Sequence, residues 1–364
     1  MKYLTIYLFL CSQLAQANEQ NCPSLDKVMD ELSKTKDLSN GDIFTKNPEW
    51  SQSLSCKKIV LRKILTLPQD PLATPKKPHE KTSEIIAEAR EGYKKLNMLL
   101  DKIVNPRFRY LFKYLKMGSV KTLLLSKKYK KMTLLYFHGG GYSLGLDHVG
   151  NSYIPFLKNL SDEINAEVYM PDYRLVPEHS LDASLDDAYS AYLYLIETKK
   201  IDPKTIIISG DSAGGGLALR LMLKLKKMGK NLPGKAILIS PWTDKTNSGD
   251  SVTTKRNNAI FAKAEAMEQF TPLVLRGMKP RDPLVSPLFG DYTNFPPLLY
   301  VVGGSEIFYD DTMRDVEKAR RQGVKVDVIE HKDGMHIYPI FARFLPEGKD
   351  AVEKIVHWVT KGRR

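Results

Sequence analysis

From residue 119 onward, short apolar runs alternate with longer stretches whose apolar positions recur every three or four residues. The short runs lie at 120–125, 133–137, 167–170, 205–209, 236–239, 298–302 and 324–329, and their Ile, Val and Leu content predicts strands buried on both faces. The longer stretches, at 154–164, 181–198, 213–228, 262–276, 312–322 and 350–361, predict helices. Strands alternating with helices predict an α/β domain with a mostly parallel sheet covered on both faces. Ligands of such sheets bind beyond the carboxyl ends of the strands, which makes the residues after each short run the first place to look for chemistry.

Upstream of residue 119 the pattern differs. Residues 18–78 are polar and broken by Pro23, Pro48, Pro68, Pro71, Pro75 and Pro78. Ile85, Ala89, Tyr93, Leu96, Leu100 and Ile103 then follow helical spacing, predicting a helix over 82–103 that Thr82 or Ser83 caps and Asn105-Pro106 closes. At the start of the chain, Lys2, an apolar stretch over 3–10 and Ala15-Gln16-Ala17 have the make-up of a secretory signal cut before Asn18. Leu10, before Cys11, is not the small residue that lipid attachment needs, so the expectation is export as a soluble protein, periplasmic or secreted. Cleavage would leave Cys22 and Cys56, which either bridge in an oxidising compartment or stay as two buried thiols.

Composition narrows the classes further. The chain has 364 residues, 42% of them hydrophobic, with 55 Lys plus Arg against 42 Asp plus Glu and a formal net charge of +13. That length allows one large domain or two ordinary ones. Three cysteines exclude a disulfide scaffold, and no apolar run approaches the ~20 residues of a membrane-spanning helix. The basic residues are scattered, without zinc-finger spacing or an aromatic RNA-binding signature. The charge therefore reads as a solvated exterior, with no nucleic-acid partner expected and at most a weak attraction to anionic surfaces.

The run ending at Ser209 leads into Gly210-Asp211-Ser212-Ala213-Gly214-Gly215 and then a helix. A serine on a sharp strand-to-helix turn needs small neighbours such as Gly210 and Gly214, and the following helix points N–H groups at charge developing near its hydroxyl. The run ending at Phe137 opens into His138-Gly139-Gly140-Gly141-Tyr142, where bare backbone can approach a substrate oxyanion. Gly139, Gly140 and Ala213 are the expected N–H donors. A base for Ser212 should follow the last strand; His336 fits better than His331, because Asp333-Gly334-Met335 is a turn and His331 ends the strand. The third member should be the first carboxylate after Gly303-Gly304-Ser305, which is Glu306, with Asp310 and Asp311 as alternatives at the start of the next helix.

These stretches, together with 172–179 (Asp-Tyr-Arg-Leu-Val-Pro-Glu-His), Ser240-Pro241-Trp242-Thr243-Asp244 and Asp282-Pro283-Leu284-Val285-Ser286-Pro287, resemble the hormone-sensitive-lipase family of α/β-hydrolase esterases. The resemblance spans roughly 133–358. It implies the α/β-hydrolase fold, a serine carboxylic-ester hydrolase acting on small or medium acyl esters, small-molecule or lipid-like substrates, and no cofactor or metal. It also implies a helical cap, to which 18–118 and an insertion around 244–280 would contribute, over a catalytic domain at 119–364. Many members carry Asp-Pro-Leu where this chain has Glu306-Ile307-Phe308. Asp172, Tyr173, Arg174 and Glu178 read as a buried polar brace, with Arg174 paired to a carboxylate, and Asp211 reads as a support rather than a catalyst. Amide hydrolysis by the same triad and ligand binding on a non-catalytic scaffold are the competing readings.

Overall fold

The computed structural model describes residues 112–255, 262, 264–342 and 345–361, together with 86, 87, 90, 91, 93, 94 and 97. All of these belong to one compact unit, Pro68–Arg364. The signal segment 1–17 and the cysteines Cys22 and Cys56 lie outside the described residues.

Eight strands form one sheet in the order β1-β2-β4-β3-β5-β6-β7-β8. They are β1 (Phe112–Met117), β2 (Val120–Leu125), β3 (Met132–Phe137), β4 (Ala166–Pro171), β5 (Ile206–Asp211), β6 (Lys235–Ile239), β7 (Leu298–Gly303) and β8 (Val326–His331). From β4 to β8 every neighbouring pair is parallel, whereas β1–β2 and β2–β4 are antiparallel. Burial explains the sequence pattern: all six residues of β3, β4, β5 and β7 are buried, so these strands read as unbroken apolar runs.

The sheet begins earlier than expected, at Phe112 rather than residue 119. β1 is an edge strand whose Lys113, Tyr114 and Lys116 are exposed, so it carries no apolar run. Charged side chains on an edge also discourage pairing with another chain.

Helices α1 (Leu146–Ile164), α2 (Leu181–Leu193), α3 (Ala213–Lys227), α4 (Ala264–Leu275), α5 (Tyr309–Arg321) and α6 (Pro346–Thr360) connect or follow the strands. The chain moves one way from β3 to β4 and the other way from β5 to β8. Right-handed crossovers then put α1 on one face and α2, α3 and α5 on the other. The packing agrees, since α2 lies against α3 and α1 against α6. α1 starts at Leu146, eight residues before its apolar pattern begins, because Gly145 replaces the Ser or Asp that marks an N-cap. None of the described helices is long and apolar enough to cross a membrane.

The strand order brings the loops after β3, β5, β6, β7 and β8 side by side along one edge. Those loops carry Gly139, Ser212, Ser240, Glu306 and His336 respectively.

Candidate active site

Ser212 sits between β5 and α3 with φ 52° and ψ −121°, a left-handed strain that the surrounding bonds hold in place. Its N–H donates to Ile239 O at 2.9 Å, and its carbonyl accepts from Trp242 N–H at 2.9 Å and Gly216 N–H at 3.1 Å. The flanking glycines are forced by close approach. A Cβ on Gly214 would stand 2.0 Å from Phe137 O, and one on Gly210 would stand 2.4 Å from Gly214 O. Ser212 is itself buried but not completely sealed, with 8% of its surface exposed. Ala213 opens α3, so its N–H belongs to the positive end of that helix.

The glycine loop differs from expectation in one respect. Gly139 N–H donates to Tyr153 OH at 2.9 Å and Asp211 Oδ1 at 3.0 Å, so it is not free to bind an oxyanion. A Cβ there would stand 2.3 Å from Asp211 Oδ2, which is why the position is glycine. Gly140 (φ 104°) and Gly141 (φ 62°) take backbone conformations that side chains rarely adopt. Neither of their N–H groups has an acceptor among the described residues, and Gly140 O anchors the loop by accepting from Ser143 and Leu144 N–H. Sequence reasoning passed over Gly141; the signal was the third consecutive glycine.

Asp211 supports this loop. Buried completely, it accepts from Tyr136 OH at 2.8 Å and Tyr153 OH at 2.9 Å. Burial pushes its carboxyl up to about 6, against the opposing pull of the two tyrosine hydroxyls. His138 stacks on Tyr173 at 4.3 Å between ring centroids, and burial lowers its pKa, favouring a neutral ring that supports the loop.

Glu306 and His336 meet as expected: His336 Nδ1 and Glu306 Oε2 are 2.5 Å apart, both buried. The other carboxylate oxygen, Oε1, accepts from Gly303 N–H at 2.8 Å and Ser240 OH at 2.7 Å. The two alternative acids do other work at the start of α5. Asp311 Oδ2 accepts from Thr243 and Asp244 N–H, and Asp310 Oδ2 accepts from Ser251 N–H at 2.7 Å. His331 is the last residue of β8, as its place in the sequence indicated.

The polar stretch after β4 is a brace, but it is not buried throughout as expected: Tyr173 is buried and Asp172 half-buried, whereas Arg174 and Glu178 are exposed, their long side chains keeping the charged ends at the surface. Arg174 grips the buried carboxylate of Asp187 through several bonds of 2.8–3.0 Å, one of them from its main-chain N–H. Asp172 Oδ1 accepts from Leu146 N–H, and Tyr173 OH donates to His138 O at 2.6 Å. Two pieces from the regions expected to form a cap touch this brace and the glycine loop. Arg90 donates to Ser143 O and Val176 O and pairs with Glu178, while a Cβ on Gly141 would meet the Phe270 ring of α4 at 2.8 Å. Among the described residues no group of three or more His, Cys, Asp or Glu side chains is placed to hold a metal ion.

A family model described as alpha/beta hydrolase fold matches residues 134–340. An acetyl-hydrolase of Streptomyces hygroscopicus is 37% identical over 221 residues, 61% of this chain and 73% of its own length. An esterase of Acinetobacter venetianus is 34% identical over 228 residues, 62% of this chain and 74% of its own. A solved esterase from the bacterial hormone-sensitive lipase (HSL) family superposes with a TM-score of 0.71 at 29% identity, covering 83% of this chain and 97% of that one. The chain belongs to the hormone-sensitive-lipase family of α/β-hydrolase-fold enzymes, and the reaction it performs is ester hydrolysis.

Proposed function

We propose that hydrolysis runs through an acyl-enzyme on Ser212, with His336 as base and Glu306 as the carboxylate that orients it. The observation carrying this reading is the buried Glu306–His336 hydrogen bond, on loops neighbouring the strained turn of Ser212. A proton on His336 Nδ1 facing Glu306 leaves Nε2 as the basic atom. His336 takes the Ser212 hydroxyl proton as Oγ attacks the acyl carbon, gives it to the departing alcohol, and then activates water for deacylation. Gly140, Gly141 and Ala213 N–H hold the tetrahedral oxyanion, and the Asp211–Gly139 contacts hold the loop in register with Ser212.

The substrate reading is an ester with a small or medium acyl group, carried by a small molecule or a lipid-like one. On this reading Phe270 of α4, whose ring a Cβ on Gly141 would meet at 2.8 Å, stands beside the acyl group. The acetyl-hydrolase and esterase names of the relatives point the same way. The contacts of Arg90 and Phe270 support a cap contributed by the preceding segment and by the insertion between β6 and β7. The signal-like residues 1–17 support export.

A series of p-nitrophenyl esters from acetate to palmitate tests the substrate reading: kcat/KM should peak at acetate to octanoate and collapse at palmitate. A maximum at palmitate would contradict it. His336→Ala should abolish turnover across the series, and retained turnover would remove His336 from the mechanism.

A further inference from the structure

Ser240 follows β6 with φ 46°, a conformation that strains an L-residue and costs a glycine almost nothing. The residue is fully buried, so its side chain faces protein rather than solvent. A turn selected only for stability would carry glycine here, which makes the hydroxyl the reason for serine.

That hydroxyl is used twice. It donates to Glu306 Oε1 at 2.7 Å and accepts from Ile337 N–H, the residue after His336, at 3.0 Å. Together with Gly303 N–H it occupies Oε1, leaving Oε2 to face His336 Nδ1. The same short turn also holds the nucleophile's backbone: Ile239 O accepts from Ser212 N–H, and Trp242 N–H donates to Ser212 O. Three residues of β6 and its turn, Ile239, Ser240 and Trp242, are thus bonded to the three loops that carry Ser212, Glu306 and His336.

We infer that Ser240 is a positioning residue, which fixes the rotation of the Glu306 carboxylate and the distance between the acid loop and the histidine loop. Glu has one more rotatable bond than the Asp found in many relatives, so its carboxylate has more orientations to lose before it can serve His336. A donor on Oε1 removes the wrong ones. Ser240 touches neither substrate nor the reacting atoms; it acts through Glu306 and His336.

The inference rests on the roles proposed for Ser212, Glu306 and His336. Turnover of p-nitrophenyl butyrate by the wild type, and its loss in Ser212→Ala, tests those roles. The ratios among Ser240 variants test this inference alone. A hydrogen bond to an ionised acceptor supports an expected fall in kcat of about 10- to 100-fold in Ser240→Ala, with KM within about twofold. Ser240→Gly, which relieves the backbone strain but also lacks the hydroxyl, should fall equally. In a Glu306→Ala background the Ser240→Ala substitution should cost less than about threefold, because its target is gone. The far-downfield proton resonance of the His336–Glu306 bond should weaken or shift in both single variants. Unchanged kcat in Ser240→Ala, recovery of activity in Ser240→Gly, or an equal loss in the Glu306→Ala background would overturn the inference. Failure of both single variants to fold would overturn it as well, since the hydroxyl would then serve the fold rather than the orientation of the acid.

Discussion

Removing the hydroxyl of Tyr153 should destabilise the protein at alkaline pH much more than at acidic pH. That hydroxyl donates to Asp211 Oδ2 at 2.9 Å and accepts from Gly139 N–H at 2.9 Å, with Asp211 completely buried. Asp211 already titrates at about 6 because burial outweighs the bonds from Tyr136 and Tyr153. A hydrogen bond to an ionised acceptor is worth about 1.5–3 kcal/mol, which corresponds to about one to two units of pKa. Tyr153→Phe therefore raises Asp211 further. A carboxyl raised in the folded state contributes stability that is complete below its unfolded pKa and lost as pH rises through the folded one. At pH 8, where Asp211 is ionised, the variant should lose about 2 kcal/mol. At pH 5, where Asp211 is mostly protonated and a neutral bond is at stake, the loss should be about 1 kcal/mol or less. Urea denaturation followed by circular dichroism at the two pH values gives both numbers. In an Asp211→Asn background the Tyr153→Phe loss should be the same at both. Equal losses in the wild-type background, or a larger loss at pH 5, would refute the assignment of an ionised Asp211 as the partner.

Further perturbations have equally definite outcomes. Gly214→Ala should fail to fold, since the new Cβ meets Phe137 O at 2.0 Å and neither backbone segment can retreat; soluble, cooperative unfolding would contradict the packing. Lys245 is buried, donates to Trp242 O at 2.9 Å, and is pushed down to about 7 by burial and then by Arg220. A base lowered in the folded state adds stability that is complete above its unfolded pKa and lost as pH falls through the folded one. Lys245→Met should therefore flatten the rise in stability between about pH 7 and pH 10, measured by thermal melts, and an unchanged slope would sink the idea. Phe270→Ala should move the optimum of the p-nitrophenyl series to a longer acyl chain, and an unmoved optimum would take Phe270 out of the acyl site. The export reading predicts an N-terminus at Asn18 by mass spectrometry of protein recovered outside the cytoplasm, and an N-terminus at Met1 would contradict it; alkylation without reduction leaves Cys22 and Cys56 unmodified if they are bridged.

The parts of this molecule that could be read in advance were those where local sequence and burial coincide. β3, β5 and β7 are buried on every residue, so their apolar runs are unmistakable, and each runs directly into the loop that carries the chemistry. Glu306 and His336 were reachable because each follows a strand and a glycine turn. β1 was not legible, because an exposed edge strand replaces the apolar run with Lys113, Tyr114 and Lys116. Gly139 and Gly140 looked interchangeable in sequence. Only the approach of Asp211, 72 residues away along the chain, commits the first N–H and leaves the second. Ser240 was marked only as part of a stretch that carries the family resemblance; its role was not legible, since it lies in contacts with Glu306, 66 residues on, and Ile337, 97 residues on.

The central claim is that Ser212 forms an acyl-enzyme with His336 as its base, and labelling with a fluorophosphonate followed by peptide mass spectrometry tests it most directly. The account predicts a single adduct, on the peptide bearing Ser212, with p-nitrophenyl butyrate turnover lost in proportion to labelling and Ser212→Ala both unlabelled and inactive. An adduct on any other residue, or Ser212→Ala turning over p-nitrophenyl butyrate at the wild-type rate, would contradict it.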